Sequence, residues 1–268
     1  MPDRLTDRRF WDRYWDGARL PAEFVPGAKR SLFTLELARH FDAFLPRGER
    51  LSALEIGGAP GQYLAYMHRA YGYRVHCLDY SDAGCRATRR NFELLGLPVE
   101  VIQGDVMDDA LRGPEHDVVY SLGLIEHFAD FGAVARRHLR FLKPGGTLML
   151  GVPNLRGINH WFRRRLAPRS LREHNLGAMD LAAWTPFENA ERLEVVFKGY
   201  IGGLEPSVLG RCEAKTLRNL PARRLAKLLD VLLRKRCRFL RRFNSPRFSG
   251  YALGVYRKPG GRREGGAA

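Results

Sequence analysis

Short apolar runs alternate with amphipathic stretches between residues 51 and 152. Continuous apolar runs predict buried strands, whereas apolar positions spaced three or four apart predict helices. In chain order, the pattern predicts strand 51–57, helix 61–71, strand 74–79, helix 82–95, strand 99–104, strand 117–121, helix 131–141 and strand 146–152. Because helices separate most of the strands, we expect a parallel sheet with helices on both faces.

Further elements flank this alternation. Before it, Thr6 is predicted to begin a helix, and a second helix is predicted at about 31–44. The first of these helices carries four aromatic residues, Phe10, Trp11, Tyr14 and Trp15. After the alternation, residues 194–200 and 251–256 are apolar runs that predict a sixth and a seventh strand.

The first predicted strand leads directly into a glycine-rich turn. Residues 57–61 read Gly-Gly-Ala-Pro-Gly, and a predicted helix follows them. Such a turn presents bare backbone at a helix N-terminus to a ligand. Asp79 ends the next strand, where a carboxylate can accept hydrogen bonds from the two hydroxyls of a ribose. The pattern therefore predicts a ligand that contains a nucleoside, bound at the carboxyl edge of the sheet.

The glycine spacing differs from that of a dinucleotide site. The pattern G-x-G-x-x-G would fall on Gly57, Ala59 and Gln62, so one position of three fits. The chain instead reads Glu55-x-Gly57-x-Ala59-x-Gly61. This resembles motif I of the class I S-adenosylmethionine-dependent methyltransferases, with Ala59 where the middle glycine usually lies. An NAD-type oxidoreductase on a similar sheet is the alternative that this spacing disfavours.

The resemblance extends over residues 51 to 154. Residues 99–105 match the family's third strand and its terminal acid, residues 117–128 its fourth strand and following loop, and residues 142–150 its turn and fifth strand. It implies an α/β, Rossmann-like, seven-stranded and mostly parallel sheet, with the seventh strand antiparallel between the fifth and the sixth. It also implies S-adenosyl-L-methionine as the cofactor.

The resemblance further implies cofactor-binding roles. Glu55 would orient the cofactor's amino group or the glycine turn, Asp79 would hold the ribose, and Asp105 would contact the adenine. Ser121, Leu122 and Gly123 would lie near the methionine part. Tyr14 and Trp15 could cover the sulfonium, because aromatic faces attract cations, and the alternative for these aromatic residues is packing of the first helix on the sheet. The complete predicted set is Glu55, Gly57, Gly58, Ala59, Gly61, Asp79, Tyr80, Asp105, Val106, Ser121, Leu122 and Tyr14.

His127 is the candidate general base, because it follows the fourth strand and imidazole titrates near neutrality. This role applies to a hydroxyl acceptor, and Glu126 would orient the ring; the alternative is a structural histidine. The other histidines weighed were His116, His160 and His174, and none of them forms a pair with metal-ligand spacing. The four cysteines lack such spacing too, so the sequence predicts no metal site.

Charge is distributed unevenly along the chain. Residues 1–154 contain 20 Lys and Arg against 20 Asp and Glu, and residues 155–268 contain 25 against 9, so the formal charge of +16 arises in the second half.

We therefore divide the chain into an N-terminal helical cap (1–47), a cofactor-binding half (48–154), a substrate-side half (155–258) and a disordered tail (259–268). The substrate-side half includes a basic helical insertion at about 203–247.

Two basic stretches predict an anionic partner. One covers residues 159–172, and the other, 221–243, is an amphipathic helix that could lie on an anionic membrane or pack on the sheet. The arginines Arg238, Arg241 and Arg242 belong to the second.

Three functions remain open from the sequence. The first is methylation of an O or N acceptor on a small, anionic or lipid-linked molecule. The second is methylation of RNA, since basic patches bind phosphate backbones without a motif. The third is a binding module on an inactive methyltransferase fold. Without an apolar run of about 20 residues, we expect a cytoplasmic protein, with peripheral membrane contact left open.

Overall fold

A computed structural model describes residues 4–28, 31–204, 220–235 and 243–260. The described strands form a single seven-stranded sheet in the order β3-β2-β1-β4-β5-β7-β6. β7 runs antiparallel to both of its neighbours, and the remaining pairs are parallel. The strands are β1 (Ser52–Ile56), β2 (Arg74–Asp79), β3 (Glu100–Gln103), β4 (His116–Leu122), β5 (Leu142–Pro153), β6 (Glu194–Leu204) and β7 (Ser249–Arg257). The predicted Rossmann-like architecture, including the place of the seventh strand, is confirmed.

Nine α-helices are described. They are α1 (Arg8–Asp16), α2 (Leu32–Phe44), α3 (Gln62–Tyr71), α4 (Asp82–Leu95), α5 (Phe131–His138), α6 (Gly157–Leu166), α7 (Pro168–Arg172), α8 (Thr185–Ala190) and α9 (Leu220–Lys235). Short 3₁₀ turns occupy Ile125–His127, Leu139–Phe141, Leu176–Met179 and Leu181–Trp184. The predicted helix 131–141 thus ends at His138 and continues as a 3₁₀ turn.

Side-chain caps set several helix starts. Asp7 accepts a hydrogen bond from the backbone N–H of Phe10, so α1 begins at Arg8 and not at Thr6 as predicted. Ser31 caps α2 in the same way, and Ser81 caps α4. In each case the capping residue is the polar residue just before the apolar face of the helix begins. The predicted helix starts are therefore close to the observed ones.

Both faces of the sheet are covered by an apolar core. On one face, α5, α8 and the 3₁₀ turns pack around Trp184, Phe141 and Leu148. On the other face, α2 and α3 pack around Phe41, Leu64 and Tyr120. The strands are therefore buried from both sides, and their carboxyl ends are left as the accessible edge.

The basic insertion is described in part. Ala222 and Ala226 of α9 pack against Phe162 and Leu166 of α6, which joins the two basic stretches. The predicted arginines Arg238, Arg241 and Arg242 lie outside the described residues.

Across the described part of the chain, no helix combines the length and the apolar character needed to cross a membrane.

Substitution of Trp184 tests the core on the face of the sheet that is covered by α5 and α8. Its side chain is 1% exposed, and its indole Nε1–H donates to the Ala178 carbonyl at 2.8 Å. We expect Trp184→Ala to lower the free energy of unfolding by about 3–5 kcal/mol, because it leaves a cavity and an unpaired carbonyl. Urea unfolding followed by circular dichroism measures this loss.

Leu228→Ala is the matched control, because that side chain is 54% exposed on α9. Its loss should stay within about 0.5 kcal/mol. Equal losses in the two variants would contradict the assignment of Trp184 to the core.

Candidate active site

A cleft opens at the carboxyl ends of β1, β2 and β3, where the sequence predicts the ligand. Gly57, Asp79, Asp105, Val106 and His127 line it, together with residues of the N-terminal segment. Parallel strands place their terminal residues at one edge of a sheet, so residues far apart in sequence meet there.

Two glycines of the turn have no room for a side chain. A Cβ on Gly57, where φ is +68°, would lie 2.9 Å from Leu124 Cδ1. A Cβ on Gly61, where φ is +82°, would lie 2.7 Å from the Phe92 ring. Both positions favour glycine in conformation and in space, so the turn presents its backbone to the cleft.

Glu55 lies beneath this turn. Its Cγ is 2.6 Å from where a Cβ of Gly58 would be, and its Oε2 accepts a hydrogen bond from the Tyr120 hydroxyl at 3.0 Å. Burial is the main cause that raises the pKa of Glu55, to about 8. Of its two predicted roles, these contacts support positioning of the turn.

Asp79 joins the turn to the second strand. Its Oδ1 accepts from the backbone N–H of Ser81 at 2.8 Å, and the N–H groups of Ala59 and Tyr80 also donate to it. Burial outweighs these donors and raises the pKa of Asp79 to about 6. The carboxylate is thus fixed in orientation at the wall of the cleft.

Asp105 is paired with a residue that the sequence analysis missed. The Arg4 guanidinium bonds to Oδ1 of Asp105, and it lies 4.5 Å from the Tyr80 ring centroid and 5.1 Å from that of Phe128. Arg4 therefore occupies the space between two aromatic rings and the acid that was predicted to contact adenine. No sequence motif marks this contact, because 101 residues separate the partners.

The N-terminal segment closes one side of the cleft. Leu5 N–H donates to the His127 carbonyl at 2.9 Å, and Trp11 Nε1–H donates to the Thr6 hydroxyl at 3.0 Å. Asp12 of α1 accepts from the Ser81 hydroxyl at 2.7 Å, which anchors α1 to the start of α4.

Trp11, rather than Tyr14, is the α1 aromatic residue that lines the cleft. Tyr14 is 57% exposed and stacks on its own helix neighbour Phe10. Trp11 and Tyr14 point in different directions from α1. The packing of α1 on α4 determines which of the two faces the cleft.

Ser121 also lies differently from its prediction. Its hydroxyl is buried against His138 of α5, with 2.9 Å between Oγ and the ring Nε2. Neighbouring Leu122 packs with the core on the opposite face, as alternation along a strand requires. The side chain of Ser121 therefore belongs to the packing of α5, whereas Tyr80 and Val106 lie on the cleft wall as predicted.

His127 occupies the cleft wall and is tightly held. Its Nδ1–H donates to the Glu173 carbonyl at 2.7 Å, and its ring centroid is 4.9 Å from that of Trp11 and 4.5 Å from that of His174. Burial, with a contribution from His174, lowers the pKa of His127 to about 3. The ring is therefore neutral near pH 7, and it accepts a proton less readily than an ordinary histidine, which disfavours the predicted general-base role.

Comparison with known proteins adds to this geometry. Residues 53–146 match the family model described as a methyltransferase domain. This chain contains a class I methyltransferase domain. The predicted family is confirmed, and S-adenosyl-L-methionine is the cofactor of that family.

Curated relatives match part of the chain. A glycine/sarcosine/dimethylglycine N-methyltransferase from Actinopolyspora halophila is 30% identical over 102 residues, 37% of this chain and 18% of the relative. A ubiquinone biosynthesis O-methyltransferase from Proteus mirabilis is 28% identical over 152 residues, 56% of this chain and 58% of the relative. The chain thus spans less than two thirds of the length of either relative.

Solved structures share the fold of the methyltransferase domain over nearly its full extent. The geranyl diphosphate C-methyltransferase of Streptomyces coelicolor A3(2) has a TM-score of 0.62 at 14% identity, covering 94% of this chain and 97% of that one. A sarcosine dimethylglycine methyltransferase from Galdieria sulphuraria, described as putative, has a TM-score of 0.56 at 15% identity, covering 94% and 98%. At these identities the likeness shows the fold.

The residues of the cleft fit the cofactor of the family. Gly57 of the turn lines the cleft with a positive φ, and the same cleft is lined by Asp79, the last residue of β2, and by Asp105, two residues after β3. Asp79 would hold the ribose hydroxyls, and Asp105 would accept from the adenine amino group after Arg4 withdraws.

Asp79 gives the site a pH dependence that can be measured. Since its pKa is raised to about 6, the carboxyl gains a proton below that pH and loses acceptor capacity for the ribose. We expect the affinity for S-adenosylhomocysteine to fall by up to about tenfold per pH unit below pH 6. Isothermal titration between pH 5 and pH 8 measures this.

In Asp79→Asn, affinity at pH 8 should fall by at least about tenfold, and the pH dependence should disappear, because charge-assisted hydrogen bonds are lost. Glu100→Gln, an exposed acid on β3, is the control and should keep the wild-type profile. Wild-type affinity in Asp79→Asn would reject the ribose assignment.

Arg4 provides a separate prediction. Arg4→Ala should raise the affinity for S-adenosylhomocysteine by up to about fivefold, because Asp105 no longer has to exchange an internal ion pair for adenine. Arg8→Ala is the control, since Arg8 lies 5.9 Å from the same Tyr80 ring but farther along the segment. A loss of affinity in Arg4→Ala alone would show that Arg4 contributes to cofactor binding instead.

Proposed function

We propose that this protein transfers a methyl group from S-adenosyl-L-methionine to an oxygen or nitrogen atom of a small acceptor that is anionic or lipid-linked. The observation that carries the proposal is the path from the basic helices to the cleft. α6 and α7 lead within two residues to His174, whose ring lies against His127 at the cleft wall.

The chain's own residues mainly position the reactants. The cofactor supplies an activated methyl group on a sulfonium, so holding an acceptor in line is the larger part of the catalytic task. His127 lines the cleft, and Trp11 packs against its edge. The two rings and the N-terminal segment form a wall that excludes water from one side of the reacting atoms.

Charge supports an anionic acceptor. Several exposed arginines lie on the two helices that precede His174, namely Arg164, Arg165, Arg169 and Arg172. Exposed cations near the mouth of a cleft raise the local concentration of anions and steer them inward.

Apolar surface supports a lipid-linked acceptor. Leu225, Leu228 and Leu232 of α9 are exposed, and Arg224 and Lys227 are exposed on the same helix. A helix with neighbouring apolar and basic side chains suits the boundary of an anionic membrane. We propose peripheral contact of the protein with such a surface through α9.

The two curated relatives are an N- and an O-methyltransferase by name, whereas the geranyl diphosphate enzyme is a C-methyltransferase. Their names specify ubiquinone biosynthesis, sarcosine and dimethylglycine, and geranyl diphosphate. The last two groups contain a carboxylate or a diphosphate, and the diphosphate is attached to an isoprenoid chain. RNA and a catalytically inactive binding role are the competing functions.

An acceptor screen separates these functions. The protein is incubated with radiolabelled S-adenosylmethionine and three pools: small carboxylates and phosphates, isoprenoid-linked acceptors in anionic vesicles, and total RNA. We expect label in one of the first two pools. Label in RNA alone would support the competing methyltransferase function, and saturable cofactor binding without label in any pool would support an inactive fold.

Removing charge tests the acceptor path. We expect Arg164→Gln combined with Arg172→Gln to raise the KM for the labelled acceptor by on the order of tenfold while leaving cofactor affinity unchanged. The matched control is Arg89→Gln with Arg90→Gln, two exposed arginines of α4 in the balanced half of the chain. Equal KM changes in the two double variants would remove the argument for a basic path.

A further inference from the structure

Three side chains with metal-ligand chemistry meet at the wall of the cleft. One ligand atom each from Glu126, His127 and His174 lies within 4.8 Å of the other two. Among the described residues, this is the one group of three or more such side chains that could hold an ion. Glu126 and His127 are buried and His174 is partly exposed, and His127 also lines the cleft.

Both histidines are oriented through their Nδ1 atoms. Nδ1 of His127 is 2.7 Å from the Glu173 carbonyl, and Nδ1 of His174 is 2.5 Å from the Ser170 carbonyl. A carbonyl oxygen can only accept, so each Nδ1 carries the hydrogen, and Nε2 carries the electron pair in the neutral ring. A backbone carbonyl on the second nitrogen is the arrangement that orients a histidine towards a metal ion.

Glu126 supplies the third ligand and an independent reason for a cation. Its side chain is 1% exposed, and its Oε2 has no hydrogen-bond partner among the described residues. Its Oε1 is 3.8 Å from Nε2 of His127. A buried carboxyl oxygen without a hydrogen-bond partner is costly, and a bound cation would satisfy it.

The spacing requires only a small adjustment. Ligands of a tetrahedral ion at about 2.1 Å are about 3.5 Å apart, so the observed 3.8 Å is close to that value. His174 lies in the short segment after α7, outside the sheet.

We propose that Glu126, His127 and His174 bind a divalent first-row transition-metal ion through one carboxylate oxygen and two Nε2 atoms. Two imidazoles and a carboxylate favour ions of the Zn²⁺, Fe²⁺ and Mn²⁺ type over Mg²⁺, which prefers oxygen ligands. Three protein ligands leave positions open for a further oxygen.

The consequence for catalysis rests on the proposed function. An acceptor hydroxyl that binds at an open position releases its proton to solvent more readily, because the ion stabilises the oxygen anion. The acceptor oxygen would then be held at the cleft wall with its electron pair available for the methyl group. His127 would act as a ligand and not as a general base.

Metal binding is tested without turnover. Protein stripped with a chelator is dialysed against Zn²⁺, and bound metal is counted by mass spectrometry; Co²⁺ is then added as a spectroscopic probe. We expect one tightly bound ion per chain and a visible Co²⁺ absorption band. Glu126→Gln and His174→Gln should each weaken metal binding by at least about tenfold.

Two controls keep the result interpretable. His68→Gln removes another histidine whose Nδ1 is on a backbone carbonyl, that of Tyr73 at 2.9 Å, but which belongs to no ligand group among the described residues. It should retain the ion. Thermal unfolding and S-adenosylhomocysteine binding of each variant show whether the fold is intact, and partly exposed His174 is the substitution least dependent on core packing.

Absence of bound metal in the wild type, or full retention of metal in both folded ligand variants, would overturn the proposal. The metal-binding assays use no acceptor, so their failure can be distinguished from failure of the proposed function. If metal binds as expected but no acceptor is labelled, the metal site stands and the acceptor proposal falls.

Discussion

The carboxylate of Asp79 is the constraint on which the cleft depends. It ends β2, accepts backbone hydrogen bonds from Ala59 of the glycine turn, and also accepts from Ser81 at the start of α4. Ser81 in turn donates to Asp12 of α1. A single buried acid therefore fixes the turn, the second helix of the cofactor half and the N-terminal cap relative to one another. Its raised pKa reflects the free energy needed to keep a charge in that buried position.

The cleft is formed by the edge of the sheet and by the N-terminal segment. The strand ends and the glycine turn belong to the sheet, and both of its faces are packed. The N-terminal segment reaches the cleft through the Arg4 ion pair with Asp105 and the Leu5 hydrogen bond to His127. Cofactor binding at Asp105 and the position of this segment are consequently coupled, since both use the same carboxylate.

The substrate side has a different physical character. The basic helices α6 and α9 pack on each other through small and apolar side chains. Exposed arginines such as Arg164 and Arg224, together with the exposed leucines of α9, form the surface that we propose for an anionic partner. The chain runs from α6 through α7 to His174, whose ring lies against His127. The basic surface and one ligand of the proposed metal centre would therefore lie on one continuous segment.

The sequence by itself determined the succession of strands and helices, the glycine turn and the acids at Asp79 and Asp105, because local periodicity and strand-end chemistry act over short distances. The place of the seventh strand followed from the family resemblance. Only the tertiary structure decided which distant groups meet: Arg4 with Asp105, and Glu126 and His127 with His174. The tertiary structure also determined the direction in which side chains point. Trp11, and not Tyr14, lines the cleft, and Ser121 packs against α5. The physical reason is that a strand-end motif fixes its own backbone, whereas the direction and neighbours of a side chain depend on how the elements pack.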